Sequence, residues 1–408
     1  MSDNRTSLSG FQQEATTACL RLLEYCRSND WAGHDPYDAL NSRIFTALPF
    51  LDSKWPRLVA TQALKRSPID LRRLMLIPRT HNPKAIALFL TSALHLRHVN
   101  GANVDGLAES MVERLVALRS KGTSYWCWGY SFPWQTRSLV VPRGTPNLVC
   151  TTFVAGALLD AYERLGDARY LTMAVSAAEY ILNELYRQDG TAVAGFSYPL
   201  PSMPAHIHNA NFLGAALFCR VYKLTGERKF LGPALKVARY SASRQLDDGS
   251  WAYGEADTQQ WVDNFHTGYN LCALRSIDRS LGSSDFELPL ARGFEFYRTR
   301  FFREDGAARY FHDQTYPIDI HCVAQSIITL LTLRDLHPGS VSTAHSTFRW
   351  AMRHMWSEQG FFYYRVLRFG TIRTSYMRWS QAWMLLALAT VGCESAASVV
   401  RSDISKVS

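Results

Sequence analysis

The 408-residue sequence lacks the features that define several large classes of protein. Its first thirty residues are polar, with no basic stretch followed by an apolar one, so a cleaved secretion signal is not expected and a cytoplasmic location is predicted. No apolar run approaches the roughly 20 residues that a membrane-spanning helix needs. Dense lysine and arginine runs and nucleic-acid-binding motifs are also missing, so the net charge of +9 does not predict a nucleic-acid partner.

The eight cysteines have no spacing typical of metal ligands or redox pairs. None forms a CxxC pair, and Cys150, Cys219, Cys272 and Cys322 lie within apolar stretches, where a reduced thiol packs as a small apolar group. An HExxH zinc motif is absent too. We therefore predict reduced core cysteines, no bound metal and no cofactor.

What the sequence does contain is a repeated pattern. Six stretches rich in alanine, glycine and leucine are apolar nearly all round, and several end at a glycine. Their starts lie roughly 55 to 65 residues apart, a spacing that suits two helices and two loops. The stretches begin at Ala85, Cys150, Ala210, His266, His321 and Arg378.

Amphipathic stretches alternate with these six, with apolar residues at three- and four-residue spacing. We predict an all-α fold in which six buried inner helices alternate with outer helices in a closed (α/α)6 barrel, or toroid, of six helical hairpins. The barrel is predicted over 81–395, with an N-terminal helical extension (1–80) packed on it and a polar tail (396–408). The stretch FQQEATTACLRLLEYC near the N-terminus is a candidate to close the outer ring.

The loops that lead from an outer helix to the next inner helix share a further pattern. Each has a glycine turn, then aromatic residues, then a polar entry into the inner helix, as in DGSWAYGEADTQQWVDNFHTG. Since all of them enter inner helices from the same direction, they gather at one mouth of the barrel as short extended segments and turns. This mouth is the predicted functional site.

On these features the chain resembles the six-hairpin glycosidase-like toroids and the terpenoid-cyclase-like toroids. The heptapeptide from Gln245 to Trp251, QLDDGSW, is similar to the QxDGSW element of squalene-type cyclases with one extra residue. The acidic DxDD and DDxxD clusters of those cyclases are absent. The chain looks more like uncharacterised glycosidase-like members, including some associated with exopolysaccharide assembly, and that resemblance implies a carbohydrate substrate.

Carboxyl groups and histidines at the mouth are the candidate catalytic groups. Hydrolysis of a glycoside usually needs two carboxyl groups, and histidine exchanges protons near neutral pH. Asp263 and Asp319 stand just ahead of neighbouring inner helices, although an aspartate there can equally be a helix N-cap. The predicted catalytic residues are Asp263, Asp319, His266, His321 and Glu255, and we expect the first four to form one cluster.

Aromatic rings and short polar side chains are the candidate sugar-binding groups, because sugar rings offer apolar faces and many hydroxyls. The same rings could instead plug the end of the barrel as core. The predicted substrate-binding residues are Trp126, Trp128, Trp134, Gln135, Arg137, His206, His208, Asn209, Trp251, Tyr253, Tyr310, Asp313, Tyr364 and Arg378.

Three functions stay open at this point. A glycoside hydrolase-like enzyme of polysaccharide metabolism is placed first, on fold analogy. A uronate lyase or C5-epimerase, in which histidine or tyrosine is the base and arginine neutralises the acid, is the runner-up. The third is a non-catalytic glycan-binding scaffold for exopolysaccharide assembly, and a lipid-linked sugar is a further ligand class. The segment before the barrel, around Tyr37, either forms a wall of the site or only braces one end of the toroid. The oligomeric state is not predicted.

Overall fold

The computed structural model describes residues 2–51, 53–97, 99–136, 139–190, 193–204 and 206–392. Its helices, in chain order, are α1 (Ser2–Ser28), α2 (Arg43–Ala47), α3 (Lys54–Arg66), α4 (Pro83–Leu96), α5 (Leu107–Ala117), α6 (Leu148–Leu165), α7 (Ala168–Tyr180), α8 (His208–Thr225), α9 (Arg228–Ala242), α10 (Asn264–Leu281), α11 (Glu287–Arg300), α12 (Ile320–Thr332) and α13 (Ser340–Met355). A last helix, α14, starts with a wide turn at Met377–Gln381 and continues through residue 392.

These helices form the predicted closed toroid. Helices α4, α6, α8, α10, α12 and α14 contact one another in that order, and α14 also contacts α4, so the inner ring closes. Outer helices α5, α7, α9, α11 and α13 each pack on the inner helix that precedes them, and α1 contacts α14. The all-α (α/α)6 prediction is therefore confirmed.

The inner helices begin and end at residues that suit helix termini. Asn82, Asn147, Asp263 and Asp319 cap the starts of α4, α6, α10 and α12, each with a side-chain oxygen that accepts a backbone N–H. Helices α6, α8 and α10 end at Gly166, Gly226 and Gly282, whose φ angles of 77°, 75° and 62° favour glycine. The repeat pattern is thus a pattern of caps as well as of apolar residues.

The main core lies between the two rings. Inner helices bury nearly every side chain, whereas outer helices such as α9 bury one face. Helix α1 contributes Phe11, Cys19 and Leu22 to this same core. Residues Ala39, Leu64 and Ile77 form a small separate cluster beside it.

Short strands occupy the loops. They are β1 (Trp134–Gln135), β2 (Val140–Val141), β3 (Tyr186–Asp189), β4 (Val193–Phe196), β5 (Ile318–Asp319), β6 (Arg365–Leu367) and β7 (Gly370–Ile372). β1 pairs with β2 and β3 with β4, and β5, β6 and β7 make one antiparallel sheet. Asp319 pairs with Arg365 in that sheet, which brings the α13–α14 loop to the start of α12.

The seven described cysteines are unpaired thiols; Cys393 lies outside the described residues. The predicted tail, 396–408, also lies outside them. The boundary at residue 80 stays a prediction, although residues 2–28 pack as an outer helix of the ring. In the part of the chain that the structure describes, no helix combines the length and apolar character needed to cross a bilayer.

Candidate active site

A cavity of about 530 Å³ lies where the six inner helices begin. The second residue of every inner helix lines it, which gives the cavity six corresponding positions around one axis. Those six residues are Lys84, Val149, Asn209, Phe265, His321 and Arg378. The rest of the wall is supplied by Tyr37, Tyr130, Phe132, Trp134, Tyr198, Tyr253, Trp261, Asp263, His266, Tyr269, Tyr310, Phe311 and Trp379.

Asp263 and His266 form a hydrogen-bonded pair in the cavity wall. Nδ1 of His266 lies 2.6 Å from Oδ2 of Asp263, which also accepts the indole N–H of Trp261 at 3.0 Å. The other oxygen, Oδ1, accepts the backbone N–H of His266 at 3.0 Å, so Asp263 is also the N-cap of α10. Because a carboxylate only accepts hydrogen bonds, the ring proton resides on Nδ1 and leaves Nε2 as the basic nitrogen.

His321 and Tyr269 form a second pair, deeper in the same cavity. The hydroxyl of Tyr269 lies 2.6 Å from Nε2 of His321, and both side chains are almost fully buried. Burial, together with the positive charges of Lys84 and Arg378, holds the pKa of His321 well below its usual 6.5. Burial also raises the pKa of Tyr269 well above 10. At neutral pH both groups are therefore uncharged.

Asp319 has a different environment from Asp263. It is completely buried, and its Oδ2 binds Arg365 through two N–H groups at 2.6 and 2.9 Å. Its Oδ1 accepts the backbone N–H of His321 and the indole N–H of Trp379, both at 2.9 Å. Asp319 does not line the cavity, so it holds His321 and Trp379 in place as a neutralised, fully bonded N-cap.

The four clustered residues of the sequence prediction lie together in the structure. The ring of Phe265 lies 4.1 Å from that of His266 and 4.7 Å from that of His321, centroid to centroid. Asp263 and Asp319 each bond the histidine that follows them. The two carboxylates nevertheless do not face each other across the cavity, because Asp319 points into its ion pair with Arg365.

Lys84 is a buried amine in the cavity wall. Its Nζ lies 4.0 Å from the ring centroid of Phe153, 5.2 Å from that of Trp383 and 5.3 Å from that of Tyr269. Among the described residues, this Nζ has no hydrogen-bonding partner and no ion pair. Burial, reinforced by the charge of Arg378, holds its pKa well below 10.5. The cavity wall therefore contains a buried amine that forms no ion pair with the described residues.

Arg378 is the second cation of the cavity, but it has a partner. It binds both oxygens of Asp35 at 2.6 and 2.8 Å, and its guanidinium lies 5.0 Å from the ring centroid of Tyr130. Asp35 belongs to the segment before the barrel, and Tyr37 of the same segment lines the cavity. Tyr37 is therefore part of the wall of the site, whereas Asp35 supports the wall by binding Arg378.

Flat aromatic surfaces make up most of the remaining wall. Tyr253 and Trp261 stack at 4.6 Å with an interplanar angle of 12°, and Tyr130 stacks on Phe132 at 5.9 Å and 8°. Trp134 packs edge-on against Tyr130 at 6.0 Å. Such surfaces, mixed with Asn209 and histidine, suit a ligand with apolar faces and hydroxyl groups.

The structure brings eight of the predicted site residues to this cavity. They are Asp263, His266, His321, Trp134, Asn209, Tyr253, Tyr310 and Arg378. Arg137 lies outside the described residues. The remaining predicted residues, which are not part of the cavity wall, are Asp319, Glu255, Trp126, Trp128, Gln135, His206, His208, Trp251, Asp313 and Tyr364.

Two predicted sugar platforms are core residues instead. Trp128 and Trp251 are fully or almost fully buried, and their indole N–H groups donate to the backbone oxygens of Leu115 and Ser241 on outer helices. Tyr364 is also fully buried and packs against Tyr376. A ring enclosed in this way offers no face to a ligand, so we leave the three out of the proposed site.

Glu255 lies in a separate polar group outside the cavity wall. It accepts from the Tyr240 hydroxyl at 2.6 Å and lies 3.4 Å from both His206 and Arg244. His208 is buried beneath this group, and burial lowers its pKa to about 4. Glu255, His206 and His208 are therefore left out of the proposed site as well.

Three more predicted residues lie outside the cavity wall. Trp126 lies under the guanidinium of Arg119 at 4.7 Å, and the amide of Gln135 bonds the backbone of its own hairpin. Asp313 is exposed to solvent. None of these contacts directs the side chain into the cavity.

Sequence reasoning missed several cavity residues, among them Lys84, Tyr269 and Trp379. The signal for Lys84 was its position directly before the first residue of its repeat, which corresponds to Val149 and Asn209 in theirs. No group of three or more histidine, cysteine, aspartate or glutamate side chains in the described residues could hold a metal ion.

No family model matches the chain, and no curated protein matches it in sequence. Solved structures do match its fold. A variant of UGL, an unsaturated glucuronyl hydrolase, with the sugar chain dGlcA-Glc-Rha-Glc has a TM-score of 0.61 at 13% identity, over 92% of this chain and 95% of that one. A GH76 alpha-mannanase from Bacteroides thetaiotaomicron has a TM-score of 0.60 at 12% identity, over 78% and 88%.

A third match is the cellobiose 2-epimerase from Bacillus thermoamylovorans, with a TM-score of 0.59 at 11% identity over 78% of this chain and 90% of that one. At these identities the likeness concerns the fold. This protein therefore shares the (α/α)6 toroid with enzymes that carry out different reactions on sugars.

Proposed function

We propose that this protein is a carbohydrate-active enzyme that transfers a proton at a sugar carbon, as an epimerase, an isomerase or a lyase does. His266 is the acid-base group of this proposal. The observation that carries it is the Asp263–His266 pair in the wall of an aromatic cavity at the barrel mouth, in which Nδ1 of His266 bonds Asp263. A histidine oriented by a carboxylate is a common way to keep one ring nitrogen available for proton transfer.

The cavity also contains the other groups that such a reaction needs. A carbon acid lies next to a carbonyl or carboxylate, and the negative charge that develops on its oxygen must be stabilised. Lys84, which is positively charged when protonated, and the guanidinium of Arg378, which is paired with Asp35, lie in the same wall. The Tyr269–His321 pair is a second hydrogen-bonded acid-base group at a different place in the cavity, which suits proton removal and return at separate positions.

Hydrolysis, the first choice from the sequence, has less support from this geometry. It usually requires two carboxyl groups on either side of the scissile bond. Within the described part of the wall, Asp263 is the one carboxylate, and its oxygens already bond His266 and Trp261. The lyase or epimerase alternative, with histidine and tyrosine as acid-base groups, needs no second carboxylate.

The charge of the cavity supports an acidic sugar as substrate. Lys84 has no counter-ion among the described residues, and the partly positive N-terminal ends of six helices surround the cavity. A uronate carboxylate next to Lys84 would favour the protonated amine, and the ammonium would in turn neutralise the carboxylate and acidify the C–H bond beside it. Among the structural matches, the sugar chain with UGL, a hydrolase, includes the acidic sugar dGlcA, and the cellobiose 2-epimerase is an epimerase. A cytoplasmic location and a role in polysaccharide assembly stay predictions.

The proposal is tested by a screen of purified protein against neutral and uronate-containing oligosaccharides in D2O. NMR would follow inversion and deuterium uptake at sugar carbons, ultraviolet absorbance would follow unsaturated products, and a reducing-end assay would follow hydrolysis. Deuterium uptake or unsaturation supports proton transfer at carbon. New reducing ends without either would establish a hydrolase instead, and binding without any product would favour the scaffold.

The matched variants are His266→Gln and His354→Gln. His354 is an exposed histidine on the outer helix α13, so His354→Gln makes the same chemical change away from the cavity. His266→Gln is expected to abolish turnover while His354→Gln retains it. Equal turnover in the two variants would refute the role given to His266.

A further inference from the structure

The segment 43–76, which we name the rim segment, exposes a large apolar surface. Eight of the thirteen exposed large hydrophobic side chains among the described residues belong to it. Phe50 and Trp55 are 73% exposed, Ile69 is 68% exposed and Leu74 is 75% exposed. Proteins in water rarely leave such a concentration of apolar side chains uncovered unless it is an interaction site.

The rim segment is also basic. It contains seven lysines and arginines and two aspartates, so it carries +5 of the total charge of +9. Arg43, Lys54, Arg66 and Arg73 are exposed on its surface. Trp55, Val59 and Arg66 lie three or four residues, or multiples of these, apart on α3, so one face of this helix combines apolar and basic groups.

The buried side of the rim segment packs against the rest of the chain, so the exposed apolar side chains belong to a folded segment. Leu64 packs in a small core with Ala39 and Ile77, which flank the segment, and the backbone N–H of Arg43 donates to the carbonyl of Leu76. Arg72 is buried and binds Asp38 at 3.0 Å. The apolar and basic groups are thus displayed by a fixed structure.

This surface lies beside the cavity. The ammonium of Lys65 donates to the hydroxyl of Tyr37, a wall residue, at 2.7 Å. Helix α3 contacts strand β1, whose Trp134 also lines the cavity. Whatever covers the rim segment therefore also lies next to the mouth of the barrel.

We propose that the rim segment docks on a membrane surface that carries anionic headgroups. Basic side chains then pair with the headgroups while Phe50, Trp55 and the neighbouring leucines enter the interfacial layer, the arrangement by which amphipathic surfaces bind lipid. A second copy of this chain is a poorer occupant, because the exposed basic side chains of two such faces repel each other. Docking places the mouth at the membrane and favours glycans held there; it does not depend on the reaction proposed for the cavity.

The test is co-sedimentation of the full chain with vesicles of phosphatidylcholine alone and with vesicles of phosphatidylcholine and phosphatidylglycerol in equal parts. Binding is expected to the anionic vesicles and to weaken with added salt. Neutralising Lys54 and Arg66 together as Lys54→Gln and Arg66→Gln should lower the partition coefficient about 25-fold, since each basic residue near such a surface contributes about fivefold. Arg228→Gln, an exposed arginine on α9, is the charge control.

The apolar contribution is tested with Trp55→Ser, which should lower the partition coefficient about tenfold. Leu288→Ser is its control, because Leu288 is 71% exposed on α11, outside the rim segment. Brominated phosphatidylcholine should quench tryptophan fluorescence in the parent chain, and Trp55→Phe should remove that quenching. Unchanged thermal unfolding of each variant shows that the fold is retained.

Several results would overturn the proposal. One is the absence of binding to anionic vesicles, and another is an equal loss in Arg228→Gln or Leu288→Ser. Binding without quenching would mean adsorption by charge alone, as to any acidic polymer or protein. Concentration-dependent dimerisation that Trp55→Ser abolishes would show that a second copy covers the surface.

Discussion

The substitution Asp263→Asn separates the two roles of Asp263, which caps α10 and orients His266. Asparagine keeps one side-chain oxygen, so the cap to the backbone N–H of His266 can be retained. Its amide nitrogen, however, donates hydrogen bonds where the carboxylate accepted them from Nδ1 of His266 and from Trp261. His266 is then expected to move its ring proton to Nε2, the nitrogen that must act as base.

The magnitudes follow from these contacts. Asparagine and aspartate cap helices about equally well, so the cap itself costs little. Loss of the charged hydrogen bonds costs about 1.5 to 3 kcal/mol of stability. When an aspartate that fixes the tautomer of a catalytic histidine is changed to asparagine, activity falls by up to about 10⁴, so we expect a loss of kcat on the order of 10³.

The assay combines kcat on the substrate found by the oligosaccharide screen with ¹⁵N NMR of the histidine rings. The ring shifts report which nitrogen carries the proton, and they do so without a substrate. Asp105→Asn, an exposed aspartate in the α4–α5 loop, is the control. A variant that keeps its kcat and its Nδ1-protonated ring but loses stability would refute the reasoning and leave Asp263 as a cap.

Three further predictions concern buried ionisable groups. Burial lowers the pKa of His208 from 6.5 to about 4, so between these pH values the unfolded chain binds more protons than the folded one. The free energy of unfolding should therefore fall by about 3 kcal/mol as the pH drops from 6.5 to 4. Denaturant titrations at each pH should show a smaller fall for His208→Asn. Lys84→Met removes a buried amine without a counter-ion, so it should raise the thermal midpoint by a few degrees while abolishing turnover; a lower midpoint would contradict this account of Lys84. Arg365→Met leaves Asp319 charged and buried and should cost about 3 to 5 kcal/mol in chemical unfolding, most of which Asp319→Asn in the same chain should restore.

The fold was predictable because its signal is local and repeated. Each inner helix is marked by an apolar run, which in α10 lies between a polar cap at Asp263 and a glycine at Gly282, and six such runs define the ring. Because inner and outer helices alternate along the chain, all six inner helices start at one mouth of the barrel. No knowledge of long-range contacts is needed for either step.

The site was predictable only where repeat position and chemistry coincide, as at Asp263 and His266. Trp251 follows a glycine turn like other candidates, but its contact with Ser241 on an outer helix buries it, and nothing local distinguishes it from an exposed ring. Asp319 is neutralised by Arg365, a partner 46 residues further along the chain. Such pairings come from the tertiary structure, so the sequence pattern cannot reveal them.

The most direct measurement of the central claim is deuterium uptake from D2O into the sugar by the parent chain and by His266→Gln. The account predicts that the parent chain places deuterium at one carbon next to a carbonyl or carboxylate, and that the variant, folded and still able to bind the sugar, places none. Uptake at an undiminished rate in the variant, or turnover of the sugar by the parent chain without any uptake or unsaturated product, would contradict it.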